Sequence, residues 1–204
     1  MSKLMSKIKV KICGLTRECD IEYANVLLPD YIGFVFAKSR RQVSTEQACN
    51  LKVKLDKKIK AVGVFVDEPI DTVLKIASEG IIDIIQLHGR EDEIYIARLK
   101  EAVDKQIIKA YQIDTEKDIS AAKQTKADMV LLDNGAGGTG KCFDWNLISE
   151  LNIPYFLAGG IDTDNVSQAL LLEPYAVDVS SGVETDGVKD FDKMKKIIES
   201  VRKV

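Results

Sequence analysis

Residues 9–37 read KVKICGLTRECDIEYANVLLPDYIGFVFA, and this stretch indicates the fold of the whole chain. Its two ends, KVKIC (9–13) and YIGFVFA (31–37), are short apolar runs typical of strands that are buried on both faces. The segment between them, RECDIEYANVLL (17–28), predicts a helix with Thr16 as its N-cap. A strand, a helix and a second strand form a βαβ unit, in which the two strands run parallel.

The same alternation continues to the end of the chain. Six more apolar runs predict strands: IKAVGVFV (59–66), DIIQLH (83–88), IIKAYQ (107–112), DMVLLD (128–133), YFLAG (155–159) and AVDVSS (176–181). The other predicted helices are STEQACNLKVKL (44–55), EDEIYIARLKEA (91–102), TEKDISAAKQT (115–125), TDNVSQALLL (163–172) and KDFDKMKKIIESVRKV (189–204). The first of these begins with Ser44 and has Gln47 three residues on, which is a capping-box pattern.

Eight strands that alternate with helices predict a closed (β/α)8 barrel, the TIM barrel. We expect a single α/β barrel domain over residues 1–204, because no linker or repeat divides the chain. A doubly wound open sheet is the structural alternative. It would usually carry a GxGxxG turn after its first strand, whereas this chain has KICGLT at 11–16.

The composition excludes several classes of function. The chain has 204 residues, 46% of them hydrophobic, and a formal net charge of −3 with no basic block, so we expect no nucleic-acid partner. No apolar run reaches the roughly 20 residues of a membrane helix, and no signal peptide is recognisable, so we expect a cytoplasmic protein without a membrane partner. The four cysteines predict free thiols, and the single histidine, His88, argues against a metal site built from several histidines.

Polar and reactive residues follow nearly every predicted strand, at the end where barrels hold their active sites. They are Cys13, the segment AKSRRQVS (37–44), Asp67, Gln86, His88, Asp133, the loop NGAGGTGKCFDW (134–145), AGGI (158–161) and SSGVE (180–184). One such residue would mean little, but this many at one end indicate a site. Within the long loop, the glycine-dense GGTG (137–140) predicts a lid, with a plain connection as the alternative.

The two glycine loops predict a phosphate site formed by Gly159, Gly160, Ser181 and Gly182. Glycine lets the backbone approach a ligand closely, and backbone N–H groups then point at an anion. Many barrels bind a phosphate in the loops after their last two strands. A pair of tight turns without a ligand is the alternative interpretation.

Cys13 and Asp133 are candidates for acid–base chemistry, although a buried cysteine is more often an inert filler and an aspartate more often caps a turn. Partial burial of Asp133 would raise its pKa and let it act as a general acid. Cys13 would act as a base only if its pKa fell from the usual ~8.5 through nearby positive charge. By strand alternation we expect Lys11 to point to the opposite side, so Arg41 or Lys38 from the next loop would supply that charge.

Arg41 and His88 are candidates for substrate binding. A guanidinium suits a carboxylate or a phosphate, and the alternative for Arg41 is a solvated basic loop. The alternative for His88 is a half-buried histidine with a structural role.

Six motifs in order, spread over the whole chain, resemble those of the phosphoribosylanthranilate isomerases of tryptophan biosynthesis. They are KICGLT (11–16), GFVF…S-x-R-x-V-S (33–44), QLHG (86–89), LLD…GGTGKCFDW (131–145), LAGGI (157–161) and VDVSSGVE (177–184). The resemblance implies an aldose–ketose isomerase that needs neither a metal nor a cofactor. It implies the Amadori rearrangement of a small-molecule substrate, N-(5-phosphoribosyl)anthranilate, to 1-(2-carboxyphenylamino)-1-deoxyribulose 5-phosphate, in a monomer or homodimer.

By the same resemblance, Cys13 corresponds to the general base and Asp133 to the general acid, Arg41 to the ligand of the anthranilate carboxylate, and the glycine loops to the phosphate site. The chain departs from the usual S-P-R of the second loop, since it has Ser39-Arg40-Arg41, so Arg40 could compete with Arg41 for the carboxylate. Three alternatives stay open: another phosphate-binding barrel enzyme, a sugar-phosphate-binding barrel without catalysis, and activity on the related histidine-pathway aminoaldose.

Overall fold

The computed structural model describes residues 7–133, 148 and 151–203, and the predicted barrel is confirmed. Eight parallel strands close in the order in which they occur: β1 (Lys9–Cys13), β2 (Tyr31–Val35), β3 (Lys60–Phe65), β4 (Ile84–Leu87), β5 (Gln106–Gln112), β6 (Met129–Asp133), β7 (Tyr155–Leu157) and β8 (Ala176–Val179). The described helices are α1 (Glu18–Leu27), α2 (Thr45–Lys54), α3 (Ile70–Ser78), α4 (Glu93–Ala102), α5 (Glu116–Lys123), α6 (Val166–Leu170) and α7 (Phe191–Arg202). The barrel closes where β1 pairs with β8, with Lys11 beside Asp178.

The six predicted helices begin one to three residues later than predicted, and the contacts explain two of these differences. Helix α1 has Arg17 rather than Thr16 at its N-cap, because the Asp20 carboxylate accepts hydrogen bonds from the amides of both Thr16 (3.0 Å) and Arg17 (2.9 Å). Helix α7 begins at Phe191, since the residues before it form a short hairpin, β9 (Glu184–Thr185) and β10 (Val188–Lys189). The hairpin and helix α3 were not predicted.

Ser44 caps helix α2 as predicted, since its hydroxyl accepts a hydrogen bond from the amide of Gln47 at 3.0 Å. The other half of the capping box does not form. The Gln47 amide group instead donates to the carbonyl of Thr16 at 2.7 Å and so ties α2 to the loop after β1.

Two apolar layers show which strand residues face inward. The outer layer joins strand residues such as Val10 and Ile12 to the helices, for example to Ile21 and Ile197. The inner cluster contains strand residues and no residue of a described helix: Tyr31, Val62, Ile84, Ile108, Ala110, Met129, Leu131, Phe156 and Ala176, with Ala158 just after β7. Since side chains alternate along a strand, the outward positions of Val10 and Ile12 place Lys9, Lys11 and Cys13 inside the barrel.

Among the helices that the structure describes, none combines the length and the apolar character that crossing a bilayer requires.

Candidate active site

The thiol of Cys13 lies at the carboxyl end of β1, where the neighbouring strand leaves room for it. Cys13 is buried and unpaired, and its partner in the β1–β2 register is Gly33. A β-carbon at position 33 would lie only 2.6 Å from Cys13 Sγ, so a larger residue there would displace the thiol. Gly33 therefore fixes where the sulfur can sit.

Lys11 lies inside the barrel beneath Cys13, and the expectation that it points to the opposite side was wrong. Residues two apart on a strand share a face, so Lys11 and Cys13 point the same way. The Lys11 ammonium is fully buried and contacts Asp178 Oδ2 of β8 at 2.7 Å. The alternation of side chains along a strand was the signal in the sequence that places Lys11 on the same face as Cys13.

The environment of the Cys13 thiol contains opposing influences on its pKa. Burial raises the pKa of Cys13, the charges of Lys11 and Lys189 lower it, and Asp178 raises it. Together these influences hold the pKa of Cys13 above its usual value. The sequence-based expectation was the opposite, because a base at this position needs a lowered pKa. Lys38, one of the two cations expected near the thiol, is exposed.

Arg41, the other expected cation, does approach Cys13. Its side chain crosses the loop after β1, where a β-carbon on Gly14 would lie 2.4 Å from Arg41 Cδ, and Gly14 has a positive φ of 82°. Arg41 therefore occupies part of the space around Gly14, next to the thiol.

Glu184 is a buried carboxylate that was not singled out from the sequence, and it contacts three cationic side chains on this side of the barrel. Glu184 Oε1 contacts Arg41 Nε at 2.6 Å and Lys189 Nζ at 2.7 Å, and Glu184 Oε2 contacts Arg40 Nη2 at 2.7 Å. Burial works to raise the pKa of Glu184, but the hydrogen bond from Arg41 and the charge of Lys189 outweigh it and lower the pKa. One carboxylate neutralises only part of the charge of three cations, and the remaining positive charge favours an anionic ligand.

The two arginines of the second loop differ in position, although both contact Glu184. The Arg41 side chain is 17% exposed and lies beside Cys13, whereas that of Arg40 is 56% exposed at the rim. The geometry therefore distinguishes Arg41 from Arg40 as the inner guanidinium.

On the other side of the barrel, Gln86, His88 and Asp133 form a chain of polar contacts. Gln86 Nε2 lies 3.0 Å from His88 Nδ1, and His88 Nε2 lies 3.4 Å from Asp133 Oδ2. If the Gln86 amide donates to Nδ1, the ring proton resides on Nε2 and points at Asp133. Asp133 Oδ1 is buried without a hydrogen-bond partner among the described residues. The structure thus brings His88 and Asp133 together.

The glycine loops after β7 and β8 lie against each other. Gly159 and Gly160 have φ values of 88° and 71°, which favour glycine, and Asn165 Nδ2 holds the Gly160 carbonyl at 2.8 Å. A β-carbon on Gly182 would lie 2.0 Å from the Ile161 carbonyl oxygen, so the two loops touch only because position 182 is glycine. Ser181 is half-buried beside this contact.

Two earlier expectations concern other parts of this end of the barrel. The segment GGTG (137–140), the predicted lid, lies outside the described residues, as does Cys142. Within the described residues, no group of three or more histidine, cysteine, aspartate or glutamate side chains is placed to hold a metal ion.

A family model of N-(5′-phosphoribosyl)anthranilate isomerase matches residues 10–200. The chain belongs to this family. The isomerase of Thermoanaerobacter pseudethanolicus is 52% identical over 202 residues, which cover 96% of this chain and 98% of that protein. The relationship therefore extends over nearly the full length of both phosphoribosylanthranilate isomerase chains.

Two solved isomerase structures superpose closely on the barrel. One, a monomeric form generated from the dimeric phosphoribosylanthranilate isomerase of Thermotoga maritima, is 35% identical with a TM-score of 0.86 and covers 97% of this chain and 100% of that one. The other is a phosphoribosylanthranilate isomerase in complex with reduced 1-(o-carboxyphenylamino)-1-deoxyribulose 5-phosphate, with 33% identity, a TM-score of 0.81 and the same coverage of 97% and 100%. That relative binds a compound that carries both a carboxylate and a phosphate.

Proposed function

We propose that this chain catalyses the Amadori rearrangement of N-(5-phosphoribosyl)anthranilate to 1-(2-carboxyphenylamino)-1-deoxyribulose 5-phosphate in tryptophan biosynthesis. The observation that carries the proposal is the placement of a thiol and a carboxyl group, Cys13 and Asp133, at the same end of the barrel in a chain of this family. Their strands, β1 and β6, have β7 and β8 between them, so the two groups can reach a sugar from different sides.

In the proposed mechanism, Asp133 donates a proton to the furanose ring oxygen, and the ring opens to a Schiff base. Cys13, as a thiolate, then removes the proton from C2 of the sugar, which the iminium has made acidic. The resulting enolamine tautomerises to the ketose, so C1 is reduced and C2 is oxidised within one molecule. The contact of 3.4 Å between His88 Nε2 and Asp133 Oδ2 supports a role for His88 in orienting the acid, and from this position at the end of β4 the ring would also contact the substrate.

The two anionic groups of the substrate match the two cationic or amide-rich regions of the site. Arg41, already beside the thiol, would bind the anthranilate carboxylate in place of part of its contact with Glu184. The loops with Gly159, Gly160, Ser181 and Gly182 would bind the phosphate through backbone N–H groups. Neither step requires a metal or a cofactor. Each chain would form a single barrel, and the active protein would be a monomer or a homodimer.

A fluorescence assay tests the proposal. Phosphoribosylanthranilate is generated in place from anthranilate and phosphoribosyl pyrophosphate by a helper transferase, and its signal is followed on adding the parent protein. We expect fast decay with the parent, near-complete loss with Cys13→Ala and Asp133→Asn, and parental decay with Cys49→Ala, which alters an exposed thiol on α2. Absence of decay with a folded parent that still binds the substrate would point to a non-catalytic sugar-phosphate-binding barrel.

The assignment of the carboxylate ligand is tested by a matched pair of variants. We expect Arg41→Lys to raise KM for phosphoribosylanthranilate about tenfold or more, because a lysine cannot form the planar double contact of a guanidinium. Arg40→Lys, at the more exposed rim position, should change KM by less than about twofold. The reverse order would assign the carboxylate to Arg40.

A further inference from the structure

The face of β1 that points into the barrel carries three polar side chains at successive levels, and their neighbours differ from level to level. At the bottom, Lys9 Nζ donates to Tyr175 OH at 2.6 Å. At the next level, Lys11 meets Asp178, and at the top lies Cys13. A lysine that is fully buried inside the barrel, directly beneath a candidate thiolate, needs a reason for its burial.

The Lys11–Asp178 pair is fixed on both sides. The two residues are register partners across the β1–β8 closure, their charged atoms are 2.7 Å apart, and their side chains are only 0% and 8% exposed. Burying such a pair costs desolvation energy that the attraction of its two charges only partly offsets, so a buried pair is weak evidence for a stabilising role. Asp178 Oδ1 also has no hydrogen-bond partner among the described residues.

We propose that Lys11, held in place by Asp178, is a positioning residue that stabilises the thiolate of Cys13 from below; its part in turnover rests on the proposed function. The argument is geometric, because Lys11 is two residues before Cys13 on the same face of β1, and its ammonium is confined by the ion pair and by complete burial. A fixed cation that is shielded from water acts strongly on a neighbouring charge.

Lys11 is suited to act as a permanent cation rather than as a proton acceptor. Burial works to lower its pKa, but the charges of Asp178 and Cys13 outweigh burial and raise the pKa above the ordinary value. The other charged groups that face the thiol are Lys189 from the β9–β10 hairpin and Arg41 from the loop after β2. Since Lys189 and Arg41 both contact Glu184, Lys11 is the cation of this set that is not tied to Glu184.

The test is a direct titration of the thiol, which does not depend on turnover. Protein labelled with 13Cβ-cysteine is titrated by NMR, and the Cys13 resonance is assigned as the one that disappears in Cys13→Ala. The variants are Lys11→Met, Asp178→Asn, the double variant, and Lys109→Met. The last is a control, because Lys109 also forms a buried ion pair, with Glu91 at 3.0 Å, but on the outward face of the distant strand β5.

We expect the lowest midpoint of the Cys13 titration in Asp178→Asn, which removes a negative charge near the thiol, and the highest in Lys11→Met, which removes a positive one. The parent and then the double variant should lie between them. In Lys11→Met the thiolate fraction below the midpoint should fall about tenfold or more, equivalent to at least about one pKa unit. Lys109→Met should titrate like the parent. In the isomerase assay, the pH limb of kcat that reports the thiolate should move with the same shift.

The outcomes distinguish a failure of the role of Lys11 from a failure of the proposed isomerase function. An unchanged midpoint in Lys11→Met, or an equal shift in Lys109→Met, would overturn the role of Lys11. A shifted midpoint in a protein whose parent form does not isomerise phosphoribosylanthranilate would support the electrostatic role and defeat the proposed function instead. If Lys11→Met fails to fold because Asp178 is left unpaired, the double variant carries the test, since it removes both charges.

Discussion

Individual residues at this site affect the positions and the ionisation of the side chains next to them. Glu184 is the example with the most partners: its carboxylate contacts Arg40, Arg41 and Lys189, while its side chain is only 4% exposed. Burial lowers the pKa of Lys189, and the charge of Glu184 works against that effect. The two groups therefore depend on each other for their ionised states.

This dependence predicts how stability changes with pH. The pKa of Glu184 in the folded protein is below the ordinary value of 4.5, so its stabilising contribution is fully present above that pH. The contribution is lost as the pH falls through the lower, folded-state pKa. Glu184→Gln should reduce the free energy of unfolding by about 3 kcal/mol at neutral pH, because it leaves Lys189 unpaired, and the difference from the parent should shrink below pH 4.5.

Urea unfolding between pH 3.5 and pH 7 measures this difference. Glu22→Gln, which alters an exposed glutamate of α1, serves as the control and should follow the parent at every pH. A difference between Glu184→Gln and the parent that stays constant across the range would contradict the linkage to Glu184.

At the scale of elements, the periodic segments were predictable and the irregular ones were not. The prediction for β1 matched in full, and those for the other barrel strands differed by one or two residues at their ends, because buried parallel strands are short apolar runs. Helix α3 was missed since its segment follows Pro69 and was not recognised as a separate amphipathic run. The β9–β10 hairpin was missed because its strands have only two residues each.

The same contrast holds for the candidate site. The end of the barrel at which Cys13, His88 and Asp133 lie follows from their positions after predicted strands. The contacts of Glu184 and Lys189 were not predicted, because they depend on a hairpin that was not recognised from the sequence. The Asp-Gly pair at 186–187 was the available signal for that hairpin.

The hairpin positions Lys189, so its turn should matter for stability. Asp186 and Gly187 have φ values of 52° and 80°, the positive values that a two-residue type I′ turn requires at both central positions. Gly187→Ala should lower the free energy of unfolding by about 1–2 kcal/mol, the typical penalty of a left-handed non-glycine residue. Asp186→Asn keeps a residue that accepts this conformation and should be close to neutral. Urea denaturation curves compare the two, and equal stability of both variants would show that the turn conformation is not limiting.

At the scale of the whole molecule, one apolar cluster inside the barrel packs residues from most of the strands against one another. Phe156 belongs to the inner apolar cluster, is fully buried, and makes edge or tilted ring contacts with Tyr31 at 5.5 Å and Tyr175 at 5.7 Å between ring centroids. The cluster draws residues from seven of the eight barrel strands, from β2 to β8. Its packing therefore couples strands that are far apart in the closed sheet.

This coupling predicts that a cavity in the inner cluster weakens the barrel as one unit. Phe156→Ala should lower the free energy of unfolding by about 3–5 kcal/mol, because the side chain is lost from a site with no solvent exposure. Ile94→Ala, which truncates a side chain on α4 that is 71% exposed, should change it by less than about 0.5 kcal/mol. Circular dichroism and tyrosine fluorescence should report the same urea midpoint for each variant, since strands on every side of the barrel share the cluster. Two separate midpoints in Phe156→Ala would mean that the strands on one side unfold independently of the rest, and the inner cluster would then not be the element that makes the barrel cooperative.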